Sequence, residues 1–198
     1  PARVLRMLTP SVIRHQAPNR SQWWRLGLVF GPVVISAVLT LFAAAYPGGH
    51  HLLGLFAVPI WLLSGLIWVS LLMTRDSRYR RSPWIIAMPL IGAFTLALAN
   101  SPVPMRVAFL ISESALTAYS QSLPEQDRVS FREQRVGLFT IETAQRWGGI
   151  TRLGVANTGG TLEKCGFSHV PEGRTKDLGV STVNHVIGDW YATCTNYD

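Results

Sequence analysis

The chain has 198 residues, a mildly positive mean hydropathy and a formal net charge of +7. That excess flanks apolar segments, whereas from Ser101 onward nine basic and ten acidic residues nearly cancel. A nucleic-acid-binding domain concentrates its cations on a folded surface. The placement here instead fits topology anchors drawn to anionic lipid headgroups, and no nucleic-acid partner is expected.

Residues 1–25 form a basic segment carrying Arg3, Arg6, Arg14, Arg20 and Arg25 with no acid. Trp23, Trp24 and Arg25 close it, and two indoles beside a cation at the foot of an apolar block belong at headgroup level. Region 26–100 follows, with the apolar blocks Leu26–Tyr46, Leu52–Met73 and Trp84–Asn100, none of which contains Asp, Glu, Lys, Arg or His. A helix crossing a bilayer core of ~30 Å needs roughly 17–25 such residues. Three transmembrane helices are therefore predicted, the third at the lower limit of length. The first block is too long and too well flanked for a cleaved signal peptide.

The connectors differ in charge. Pro47-Gly48-Gly49-His50-His51 has no acid, Lys or Arg, while the 74–83 connector carries Arg75, Arg78, Arg80 and Arg81 against Asp76. Cations in short loops mark the cytoplasmic face. The N-terminus and 74–83 are thus placed inside a plasma membrane, with Arg78, Arg80 and Arg81 as further interface anchors. Loop 47–51 and everything after residue 100 are placed outside.

Gly27 and Gly31 are spaced for close helix approach. Packing against the chain's own spans is the plain reading, and a homo-oligomer seam is the sharper one. Pro32, Pro59 and Pro89 predict bends. No span carries an ionisable side chain of the sort that lines ion or proton routes, so transport by these helices alone is disfavoured. Ser101-Pro102-Val103-Pro104 then stops or bends the chain. The 101–127 stretch reads as an amphipathic helix and linker at the outer surface. Met105, Phe109, Leu116 and Tyr119 lie on one face, with Leu110 and Ala118 near it.

Region 128–198 reads as a small antiparallel β domain, which makes the fold class an α+β membrane protein. Val136–Trp147, the Gly148-Gly149 turn and Ile150–Asn157 give a hairpin signal. Turns at 158–161 and 171–173 bracket Leu162–Val170, and Asp189–Thr195 reads as the last strand. Burial alone stabilises a unit of this size only marginally. Cys165 and Cys194 both fall in the predicted exterior, where disulfides persist. A structural disulfide is expected, with independent thiols or thiolate metal ligands as the alternatives.

Chemistry is sparse. Neither the His50-His51 pair nor His169 has zinc-ligand spacing, and no metal or cofactor is expected. Ser181, His185 and Asp189 supply the residue types of a hydrolase triad without a nucleophile-elbow pattern. Glu113, Glu125 and Glu133 read as the wet face of a helix and its exit rather than paired catalytic acids. No catalytic residue is assigned. Trp147, Phe167, Trp190 and Tyr191 are candidate contact residues because aromatic rings dominate interfaces; the plainer alternative is that they fill the β core.

Arg135-Val-Gly-Leu138, Trp147-Gly-Gly149, Cys165-Gly-Phe-Ser-His-Val-Pro171 and Gly188-Asp-Trp-Tyr191, together with Arg106–Leu116, resemble a group of actinobacterial membrane proteins without an assigned activity. The resemblance covers about the second half of the chain, and the cysteine pair departs from the group's pattern. It implies a few N-terminal spans and a short β-rich extracytoplasmic tail. The function expected is that of a non-catalytic envelope protein, either an accessory subunit of a larger membrane complex or a surface binding module. Its partners are then the lipid bilayer and other membrane subunits. The alternatives are an enzyme at the outer surface using Glu113, His169, His185 or Asp189, and an oligomeric channel or transporter component joined through Gly27 and Gly31.

Overall fold

A computed structural model describes residues 20–73, 84–160, 163–171 and 175–196. Among them the apolar blocks fold as α1 (Arg20–Ala44), α2 (His51–Met73) and α3 (Trp84–Ala99). Long runs of Leu, Ala and Ile favour helix. Pro47-Gly48-Gly49 ends the first, with Gly48 and Gly49 both at positive φ. Prolines 32, 59 and 89 lie inside the three helices. The helices are tied by their few polar groups. The Trp61 indole donates to Thr40 Oγ1 at 2.9 Å, and that of Trp68 to the Ile85 carbonyl at 3.0 Å. Ser36, Ser64 and Thr95 are buried, each bonded back to its own helix.

The expectation of three independent spans is met only in part. By length and composition α2 qualifies alone, and α3 qualifies only together with the next helix, from which it is bent by 60°. Sixteen residues give α3 a length of about 24 Å, short for a bilayer. In α1 the described apolar run is Phe30–Ala44, again too short by itself.

The helix α4 (Val103–Ser122) follows Pro102 and lies on a six-stranded antiparallel sheet. The strands are β1 (Gln126–Val136), β2 (Phe139–Trp147), β3 (Ile150–Val155), β4 (Glu163–His169), β5 (Thr182–Ile187) and β6 (Trp190–Asn196), in the order β1-β2-β3-β4-β6-β5. Two-residue turns at Gly137-Leu138, Gly148-Gly149 and Gly188-Asp189 join three of the hairpins. The sequence reading began its strands at Val136: β1 starts ten residues earlier, overlapping the expected linker at Gln126 and Asp127, and a turn at Gly137-Leu138 interrupts the run read as one strand over Val136–Trp147. β1 is an edge strand rich in charge, so it lacks the apolar alternation that betrays strands.

The core lies between α4 and one sheet face. Phe109 and Leu116 from the helix meet Phe139, Ile141, Leu153, Phe167 and Trp190. Leu110 and Ala118, expected near the buried face, are instead exposed. Ser112 accepts the Leu138 N–H at 3.0 Å, seating the β1–β2 turn on the helix. Arg146 donates to the Gln121 and Leu123 carbonyls, capping the helix C-terminus.

The loop after α1 binds the two halves together. The Tyr46 ring meets Phe139 edge-on at 5.5 Å and His50 at 5.1 Å. Pro47 is fully buried, and the Gly159 N–H donates to the Gly49 carbonyl at 3.2 Å. Cys165 and Cys194 face each other across β4 and β6 and form the expected disulfide. Gly48 lies directly over it: an added Cβ would collide with Cys165 Sγ and come within 3.3 Å of Cys194 Sγ.

Candidate functional site

The sheet face turned away from α4 carries the most built surface. Strand register sets its rows: Thr143, Gly154, Gly166 and Thr193 stand side by side, and beside them Gln145, Arg152, Ser168 and Tyr191. Both glycines are required by the sheet itself. A Cβ on Gly154 would strike Thr143 Oγ1, and one on Gly166 the Leu153 carbonyl. Their missing side chains leave a depression of about 140 Å³, lined also by Lys164, Thr195 and Val180. A second depression of about 230 Å³ adjoins it, formed by Gln145, Trp147, Ile150 and Arg152.

The electrostatics are cationic but compensated. Arg152 donates to the Leu178 carbonyl, and burial depresses its pKa below the usual guanidinium value. Lys164 pairs with Glu142 at 3.1 Å. Ser168 Oγ and Thr193 Oγ1 share a buried hydrogen bond of 2.9 Å. The described lining residues of the two depressions include no Asp, Glu or His. Such a surface offers hydroxyls, an amide, a guanidinium and an indole at its rim. It is equipped to hydrogen-bond and stack, and its described lining offers no carboxylate or imidazole for proton transfer.

The aromatic candidates divide by strand alternation. Phe167 is fully buried and Trp190 is 4% exposed, both in the core under α4. They are corrected from contact residues to core residues, because their positions fall on the inner face. Trp147 is 57% exposed on the outer face, and Tyr191 is half-buried there against Ile150, Val170, Leu178 and Val180.

Other predicted residues disperse. The Ser181 hydroxyl donates to the Cys194 carbonyl, while His185 Nε2 bonds the Gly188 carbonyl and its ring meets Tyr191. Those bonds tie Ser181 and His185 to separate backbone carbonyls, whereas a triad needs its nucleophile and base bonded to each other. Glu113 is half-buried on α4, and Glu125 and Glu133 are exposed beyond it. The His169 ring packs on Trp190 at 5.0 Å. His50 Nδ1 accepts the Leu53 N–H at 3.4 Å; its pKa is lowered by burial first and by His51 in addition, against a backbone hydrogen bond that raises it. Burial raises the pKa of Tyr46, partly offset by Arg135.

Glu163, Cys165 and Cys194 come together with metal-ligand spacing. The disulfide leaves the carboxylate as the one ionic donor of the three, so the group does not suit a metal. No described residue lies within 4 Å of a Cβ added at Gly27 or Gly31. The side chains of Trp23, Trp24 and Arg25, and all of Arg78, Arg80 and Arg81, lie outside the described residues.

The depression floored by Gly154 and Gly166 escaped sequence reasoning. Its signal was two glycines within strands, a pattern that marks close backbone approach. Comparison with family models, with curated proteins and with solved structures gives no match.

Proposed function

We propose that this chain is a non-catalytic integral membrane protein of the cell envelope, either an accessory subunit or a surface binding module. Its first three helices cross the plasma membrane from a cytoplasmic N-terminus, and the β unit lies outside. The observation that carries the reading is the exterior of α2. Only 11% of its apolar window is buried within the chain, and Leu55, Phe56, Leu62 and Leu66 are each nearly two-thirds exposed or more. A core helix of a soluble protein hides such residues, because leaving one in water forfeits roughly 1.5–3 kcal/mol. The docked 45–50 loop supports the sidedness, since it keeps 47–51 and the β unit on one side, as the arginines predict. The arrangement also suits the architecture that the actinobacterial resemblance implies.

On this reading the outer sheet face, rimmed by Trp147, takes the partner or envelope component. Purification of the full chain in a mild detergent, with mass spectrometry of co-eluting subunits, tests the function. A stoichiometric partner lost on Trp147→Ala supports it; a catalytically active lone monomer overturns it. The open Gly27–Gly31 face favours a second reading, a homo-oligomeric channel component, for which a symmetric assembly broken by Gly31→Leu is the expected result.

A further inference from the structure

The helix α4 has two apolar sides. One is buried on the sheet through Ala108, Phe109 and Leu116. On the other, Val103, Val107, Leu110 and Ile111 are 49–65% exposed, spaced as a single stripe along the first turns of the helix. This stripe begins four residues after α3 ends. It therefore continues the apolar surface of the helical region past the 60° bend.

Beside the stripe, where α4 meets the edge strand β5, lies a cleft of about 260 Å³ lined by Arg106, Leu110, His185, Val186 and Ile187. Leu110 is about half exposed and Ile187 more than a third exposed. Arg106 is exposed and makes no ion pair with a described residue. Glu113 follows seven residues on, about 10 Å along the axis, which is too far to pair with it. One cation thus stands beside a short apolar wall, at the point where the chain leaves its last apolar block.

We infer that this cleft binds an anionic phospholipid, with its phosphate on Arg106 and the start of its acyl region against Leu110, Val186 and Ile187. The inference rests on the membrane reading above and goes beyond it by naming a site. Arginine suits the role because its planar fork matches phosphate oxygens. The apolar stripe selects a lipid over a free anion, because an inorganic phosphate gains nothing from those side chains.

The test uses the full chain in mild detergent, with phosphatidylglycerol or phosphatidylcholine added and adducts read by native mass spectrometry. A dominant phosphatidylglycerol adduct is expected. It should fall about fivefold in Arg106→Gln, the size expected of one basic side chain at an anionic surface, and recover in Arg106→Lys. Leu110→Asn should weaken it as well. Equal adducts for both lipids, an unchanged Arg106→Gln, or displacement by millimolar inorganic phosphate with no effect of Leu110→Asn each overturns the site. Alkaline washing of native membranes separates the two ideas. Release of the chain overturns the membrane reading itself, whereas a retained chain with an unaltered adduct overturns the cleft alone.

Discussion

The two halves of this molecule bury opposite things. Among the described residues of α1, α2 and α3 the buried side chains are mostly small and partly polar, including Val33, Ser36, Ala57, Ser64 and Thr95, with Met88 the one long exception, while many Leu, Ile and Phe side chains are exposed. Under α4 the order is inverted: Phe109, Phe139, Ile141, Leu153 and Phe167 are inside, and Thr, Gln, Arg and Lys face out. Small residues at helix contacts suit a surrounding as apolar as leucine itself, where packing and interhelical hydrogen bonds must do the holding. Large apolar cores suit water. On the membrane reading proposed above, one chain serves two solvents, and the 45–50 loop is where its two halves are in contact.

The largest effect that sharpens the contrast comes from trimming an apolar side chain in each half. Phe167→Ala removes a fully buried ring in contact with Phe109 and Phe139, and should cost about 3–5 kcal/mol. Leu62→Ala removes one that is 64% exposed within the chain, and should change stability by no more than about 0.5 kcal/mol. Denaturant unfolding of both variants in the same detergent measures the difference. Equal losses would mean that α2 hides its leucines after all, and the contrast would fail.

How much of this contrast was legible in the sequence follows from the same physics. The limits of α2 and α3 emerged within a residue because an apolar run without charge has few alternatives, whereas α1 starts six residues before its apolar block, at Arg20. The Gly148-Gly149 hairpin was likewise plain, since paired glycines at positive φ suit a two-residue turn. Which way Phe167 and Trp190 point was not, because a register slip of one residue reverses every side chain. The strand β1 was hidden by its own charges. The docked loop is a non-local contact, announced only by Pro47-Gly48-Gly49, and nothing local says that Gly48 makes room for a disulfide whose first cysteine lies 117 residues further on in the chain.

Two further changes act at the junction between the halves. Reduction of Cys165–Cys194 opens a loop with a sequence separation of 29, worth about 3–4 kcal/mol on a chain-entropy argument. The loss should appear in melting of the β unit and leave the helical content of α1–α3 in place. A parallel loss of helix signal would show that the halves unfold as one. Gly48→Ala is the more local probe. It strains a φ of +69° and forces a methyl onto Cys165 Sγ. About 1–3 kcal/mol is expected from backbone strain of this kind, read as faster hydrogen exchange at Gly159 relative to the sheet centre. Unchanged exchange would mean that the loop is not seated on the disulfide.

The smallest expected effect concerns the pH range in which the junction holds. His50 is partly buried between Tyr46 and the start of α2, and burial lowers its pKa below 6.5. The unfolded chain therefore binds a proton at a higher pH than the folded one, so stability is complete above the unfolded value and declines as pH falls from about 6.5 through the lowered one. Protonation also removes the Nδ1 acceptor that the Leu53 N–H uses at the first turn of α2, so the geometry and the titration point the same way. Because the imidazole contacts Tyr46 and the first turn of α2, the change should be confined to the loop. Exchange protection at Gly159, whose N–H donates to Gly49, should drop between about pH 7.5 and 5.5 after correction for intrinsic rates, and His50→Gln should flatten the dependence. Protection that rises on acidification would mean that the imidazole is held as a cation, and the loop would then be a site that favours charge at the boundary between the two halves instead of excluding it.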